Sequence, residues 1–186
     1  MKKTTVFLIC CLLGAGAVLA RAQVVPAATR RVTTLNVGAL GSMFQPDYAG
    51  NFVPQEAPNR LYGWGTYVDL GLGRWAQIEA EGRWLRANPY VNIREDNYLI
   101  GPRILAPRYK KLRPYGKVLF GYGRMNFQYN FAYGRFADLA LGGGVDYPLT
   151  KRISARVNFE YQLWPNWVNG TLKPYGGDVG IAYKVF

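Results

Sequence analysis

From Leu35 onward the 186-residue chain keeps a two-residue rhythm of apolar and polar side chains. It is clearest over residues 152–163. There Ile153, Ala155, Val157, Phe159, Tyr161 and Leu163 alternate with Arg152, Ser154, Arg156, Asn158, Glu160 and Gln162. Successive side chains of a strand point to opposite faces, so this stretch predicts a strand with one apolar and one polar wall. Residues 76–85 repeat the pattern, with Ala76, Ile78, Ala80 and Trp84 against Gln77, Glu79, Glu81 and Arg83. Over 61–72, Trp64, Thr66, Val68 and Leu70 oppose Gly65, Tyr67, Asp69 and Gly71. Over 136–147, Leu139, Leu141, Val145 and Tyr147 oppose Asp138, Ala140, Gly142, Gly144 and Asp146, and over 114–124, Val118, Phe120 and Tyr122 oppose Tyr115, Lys117, Gly121 and Gly123. Weaker alternation predicts strands over 32–43, 97–105 and 174–185, for a total of eight. After residue 23 no window carries a helical apolar stripe.

The connections alternate in length. The gaps at 44–60, 86–96, 125–135 and 164–173 are long, those at 73–74 and 148–151 are tight, and 106–113 is intermediate. Short turns at one end and long loops at the other are the habit of transmembrane β-barrels. The expected fold is therefore all-β, a closed antiparallel up-and-down transmembrane β-barrel of about eight strands. Pro102 cannot donate to a ladder, so a bulge or an early strand end is expected there. Trp164, Pro165, Asn166 and Trp167 fall in the last long gap and read as exposed groups near lipid headgroups or a partner.

Alternation alone also suits a soluble exported ligand-binding barrel with its apolar wall inside. Three features favour apolar-out. The polar walls collect small residues such as Gly65, Gly121, Gly142 and Gly180, as a narrow lumen requires. Aromatics gather at strand ends: Trp64, Trp84, Tyr98, Tyr122, Tyr161 and Tyr175 toward the loop side, Tyr147 and Tyr183 toward the turn side, where a membrane interface holds amphipathic rings. Finally, a sheet in lipid must close, and eight strands suffice. On this register Asp69, Glu79, Glu81, Arg83, Arg103, Lys117, Asp138, Arg156 and Glu160 point into the lumen. Charges in so narrow a space should pair, which predicts a salt-bridged plug; a narrow small-solute or gated ion channel is the functional alternative.

The start of the chain reads differently. Lys2 and Lys3 precede an apolar run from Val6 to Leu19, and Ala20-Arg21-Ala22 follows, which is the pattern of a secretory signal peptide over 1–22. A short segment over 23–31 and the barrel over 32–186 complete the expected organisation. Cleavage would remove Cys10 and Cys11, so neither disulfides nor a thiol metal site is expected. It would also take three of the 23 basic residues and none of the 11 acids, leaving a net charge of +9. For an exported chain that charge points to anionic lipid rather than nucleic acid. The one basic cluster, Arg108, Lys110, Lys111 and Arg113, reads most simply as a solvated turn.

Candidate chemistry is sparse. The chain has no histidine, the usual general base near neutral pH. Ser42 and Ser154 are the serines past residue 23, and neither has a visible base. The glycine runs at 121–123 and 142–144 precede no helix and do not form a phosphate loop. No catalysis, cofactor or metal is expected.

The chain resembles the small eight-stranded outer-membrane barrels of the OmpA and OmpX type. The signal peptide and strand pattern carry the resemblance, together with residues 98–103 (YLIGPR), 114–118 (PYGKV) and 179–186 (VGIAYKVF). It implies a bacterial outer-membrane location, and lipid and lipopolysaccharide as neighbours of a monomer. It also implies a C-terminal signal at Tyr183 and Phe186 read by the barrel-assembly machinery. Phe186 stands one residue out of phase with Val179, Ile181, Tyr183 and Val185, where the family keeps the last aromatic in phase. The larger OmpA-type proteins carry a peptidoglycan-binding domain after the barrel; this chain stops at the last strand, and that role is not expected. Its role would be structural or in surface interaction.

Overall fold

The computed structural model describes residues 33–47, 60–87, 93–126, 133–167 and 170–186. The expected signal peptide over 1–22 and the segment over 23–31 lie outside the described residues, as do the middles of the long connections.

The strands are β1 (Thr34–Gln45), β2 (Leu61–Gly71), β3 (Ala76–Ala87), β4 (Arg94–Leu105), β5 (Arg113–Asn126), β6 (Tyr133–Pro148), β7 (Ile153–Trp167), β8 (Gly170–Leu172) and β9 (Tyr175–Lys184). Eight of them form one antiparallel ring, in which each pairs with the next and β9 pairs with both β7 and β1. The three-residue β8 folds back on the end of β7 and extends the loop end. Closure leaves no strand edge exposed to hydrocarbon, where an unpaired amide costs several kcal/mol.

The ring is staggered. Starting from Thr34, the pairing runs through Gly71, Gln77, Arg103, Lys117, Gly142, Glu160 and Gly176 and returns to Phe44, a shift of ten residues along β1. A shear of this kind tilts the strands and sets a lumen just wide enough for side chains. Inward glycines accommodate inward rings: a Cβ on Gly38 would strike the Tyr67 ring, and one on Gly123 the Phe136 ring.

Pro102 produces neither a bulge nor an early end. β4 runs on to Leu105, Ile78 pairs with Pro102, and the β4–β5 register is the same at Ile100↔Phe120 as at Arg103↔Lys117. Pro102 points outward, and Gly101 beside it lets β5 approach closely, its missing side chain lying against the Val118 carbonyl. The irregularity falls instead at Tyr62/Gly63.

The short connections gather at one end. In the β4–β5 turn Tyr109 and Leu112 exchange N–H···O bonds of 3.0 Å, with Lys110 at φ 55°. In the β6–β7 turn the Thr150 hydroxyl accepts from the amides of Arg152 (3.2 Å) and Ile153 (2.9 Å).

The walls decide between a soluble and a membrane barrel. On β7, Val157 and Phe159 are 59% and 57% exposed, whereas Arg156 and Glu160 are 4% and 0% exposed. The same alternation runs round the ring, with Val68, Ile100, Phe120, Leu141, Val179 and Ile181 outside. An apolar belt of this extent is not tolerated against water, which rules out the soluble ligand-binding barrel. Val157→Arg should therefore destabilise the barrel by about 2–4 kcal/mol in urea titrations in phospholipid vesicles, the depth-dependent cost of a lipid-facing cation.

Candidate functional site

The lumen is built by the inward walls of the eight ring strands. Arg156 on β7 reaches across to Asp69 on β2 (2.6 Å) and Glu79 on β3 (2.8 Å), and also holds Asp146 on β6 (2.9 Å). Arg103 on β4 joins the same group through Asp69 (3.0 Å), Asp146 (2.5 Å) and Gln77 (2.7 Å). Lys117 on β5 contacts Glu79 (2.6 Å), Glu81 (2.9 Å) and Glu160 (2.6 Å). Arg83 on β3 contacts Glu160 (2.8 Å), Asp178 (3.3 Å) and Glu81. Four cations and six carboxylates thus form one continuous set of spokes. Asp138 stands nearer the loop end, where it accepts from Asn97 Nδ2 at 2.9 Å. The guanidiniums also stack on rings: Arg103 over Tyr115 (3.6 Å), Arg156 over Tyr67 (3.9 Å) and Arg83 over Phe44 (4.2 Å).

Glu81, Glu160 and Asp178 converge closely enough to ligate a cation, but Arg83 Nη2 already touches all three. Desolvating several charges is costly, and only multiple short contacts per ion make such burial tolerable.

Above Arg83 the chemistry changes. Phe44, Leu61, Leu85, Ile93, Met125, Phe136 and Trp164 form a buried apolar cluster at the loop end. Trp164 is fully buried and stacks on Phe136 with centroids 3.9 Å apart. The expectation of an exposed Trp164 is thus corrected: β7 continues to Trp167, and residue 164 keeps the inward phase of 156, 158, 160 and 162. The Trp167 side chain lies outside the described residues.

The strand-end aromatics lie on the outer wall. Trp64, Trp84, Tyr98 and Tyr122 form a chain of ring contacts across β2 to β5, at 4.6, 6.2 and 5.5 Å. Trp84 Nε1 donates to the Tyr98 hydroxyl at 3.1 Å. Tyr161 and Tyr175 pair directly across β7 and β9. At the turn end Tyr147 is exposed, and the Tyr183 hydroxyl accepts from Arg152 at 2.9 Å. β9 ends at Lys184, and Phe186 is exposed beyond it, its carbonyl accepting from the Leu35 amide at 3.2 Å.

A family model described as an outer membrane protein beta-barrel domain matches residues 8–184. The chain belongs to this family. It is a bacterial outer-membrane β-barrel. Among solved structures it is similar to Neisserial surface protein A (TM-score 0.59, 9% identity, 81% of this chain and 96% of that one). It is also similar to the N-terminal barrel domain of Pseudomonas aeruginosa OprF (0.56, 14%, 81% and 96%). A third is Ail, the attachment invasion locus protein of Yersinia pestis (0.55, 12%, 82% and 97%). At these identities the likeness is one of fold. No curated protein sequence matches the chain.

Alternation placed Asp146 on the polar wall of residues 136–147 without naming it among the lumen charges; Asp178 was not singled out, yet it shares phase with the inward Gly176 and Gly180 on β9. The apolar cap of this outer-membrane barrel carries no such signal, because Leu85, Met125 and Trp164 sit at polar-wall positions. Arg83→Met should cost roughly 3–5 kcal/mol in denaturant unfolding, since three buried carboxylates lose a shared cation. Trp164→Ala should cost about 3–5 kcal/mol in the same assay through the cavity it leaves.

Proposed function

We propose that this outer-membrane barrel is a monomeric, non-catalytic surface-interaction protein whose working surfaces are its loop end and outer wall. The cap around Trp164 carries this proposal: among the described residues, a buried apolar cluster lies above the ion-paired layer, a pairing that suits a plugged lumen. Plugged lumens suit barrels that anchor and present loops rather than conduct. The lack of histidine supports a non-catalytic role, as does the position of Ser42, whose buried hydroxyl lies across the β1–β9 pair from Asp178, with no imidazole to activate it. A narrow cation path is the second reading, favoured by the excess of carboxylates over cations in the lumen.

The partners follow from the outer wall. Arg124 and Arg135 stand directly opposite each other on β5 and β6, a like-charge pair that is unfavourable by itself. Arg124 donates to Asp96 at 2.9 Å and Arg86 pairs with the same Asp96 at 2.6 Å, while Arg135 donates to the Tyr133 hydroxyl at 2.9 Å. Located just beyond the Trp64–Tyr122 aromatic chain, these cations suit the phosphates of lipopolysaccharide in the outer leaflet. Exposed Tyr183 and Phe186 would serve the barrel-assembly machinery as its C-terminal signal.

In planar bilayers the refolded protein should show no steady conductance; a stable ohmic pore would favour the cation path. Lipopolysaccharide should raise the melting temperature of the wild-type barrel, and most of that rise should be lost in the Arg124→Gln/Arg135→Gln double variant.

A further inference from the structure

At the turn end the lumen opens into a cup of about 200 Å³. Five cations from three separate stretches of chain line it: Arg108 from the β4–β5 connection and Arg113 at the start of β5, Lys151 and Arg152 from the β6–β7 turn, and Lys184 from the end of β9. The carboxylate lining the cup is Asp146, and it is already committed to Arg103 at 2.5 Å and Arg156 at 2.9 Å. Among the described residues that line the cup, the five charges therefore have no uncommitted carboxylate.

Two of them are also held in place. Arg113 is half-buried; its Nη2 donates to the Arg74 carbonyl at 2.8 Å, and its Nε is shielded from water with no hydrogen-bond partner. Arg152 is tied to the Tyr183 hydroxyl. A freely solvated turn would spread its charges apart. Here hairpin geometry gathers them around one concavity, with Arg113 anchored within it and Arg152 held at its rim by the outward Tyr183 hydroxyl, and a concave site lined by one sign of charge focuses the field and concentrates counter-ions.

We propose that this cup binds a phosphate group entering along the barrel axis from the aqueous side of the turn end. Guanidinium forks match phosphate oxygens in pairs, and lysines add point charge. The volume admits one small group and not a large organic ligand. Approach along the axis follows from the lining: Asn36 and Gln77 stand on the inward wall, inside the rim that carries exposed Tyr147 and Leu149. A lipid headgroup would have to fold over that rim to arrive, so a soluble phosphate is the favoured source. The site is independent of whether the lumen conducts.

The test is a titration of the refolded full chain in zwitterionic micelles with inorganic phosphate, followed by the guanidinium N–H resonances of Arg108, Arg113 and Arg152. Chloride at equal ionic strength is the control. Saturable shifts specific to phosphate are expected, with affinity lowered about ten-fold or more in Arg108→Gln/Arg152→Gln, the loss of two charge-assisted contacts. Unchanged heat-dependent gel mobility will show that this variant is folded. If the same resonances shift on adding phosphatidylglycerol to nanodiscs and do not respond to inorganic phosphate, the phosphate site stands and its source is a lipid headgroup. Linear shifts equal for phosphate and chloride, shifts that survive the double substitution, or no response to either phosphate source would overturn the proposal.

Discussion

Hydrocarbon offers backbone amides nothing to bond with, and the rest of this structure follows from that constraint. Every ring strand needs two partners, so β9 must reach both β7 and β1. Closure at eight strands with a shift of ten residues leaves an interior narrow enough for inward side chains to meet across it. Inward space is then rationed residue by residue: Tyr67 occupies volume that Gly38 leaves open, and Phe136 lies over Gly123. Pro102 is accommodated because its side chain faces lipid and Gly101 admits the neighbouring strand, so the ring keeps its register through a residue that cannot donate.

Within that narrow space the polar wall sorts into layers. The cationic cup lies at the turn end, the ion-paired spokes cross the middle, and the apolar cap lies toward the loop end. The spokes are bonds across the lumen: Arg156 ties β7 to β2 and β3, and Lys117 ties β5 to β3 and β7. Such contacts oppose flattening of the ring, which hydrogen bonds between adjacent strands resist poorly. They also bias the distribution of charge. Of the chain's 11 acidic residues, Asp69, Glu79, Glu81, Glu95, Asp138, Asp146, Glu160 and Asp178 all face inward. The outside is accordingly more basic than the net charge of +12 suggests. That imbalance appears at both rims, as the Arg124–Arg135 pair near the loops and as the five-cation cup at the turns.

Much of the fold was legible from alternation. The phases of β2, β3, β5, β6 and β7 follow from residue order, because the period of a strand is two and one wall had to be apolar. The nine lumen charges singled out from the sequence all stand on inward faces. Pro102 was misjudged because a prohibition on donating says nothing about which way a proline faces. Trp164 was misjudged because an aromatic beside Pro165 resembles a loop residue, although its phase with Glu160 and Gln162 continued the strand.

The sequence by itself determined which residues share a wall, that this wall belongs to a barrel, and where the tight turns fall. These are local matters, settled by neighbours two residues apart. Only the tertiary structure decided that Arg156 meets Asp69, that one nitrogen of Arg83 serves Glu81, Glu160 and Asp178, and that Arg108, Arg113, Lys151, Arg152 and Lys184 share one cup. The reason is the stagger of the closed ring. Which side chains meet across a lumen depends on the shift accumulated round eight pairings, and no single strand records that sum.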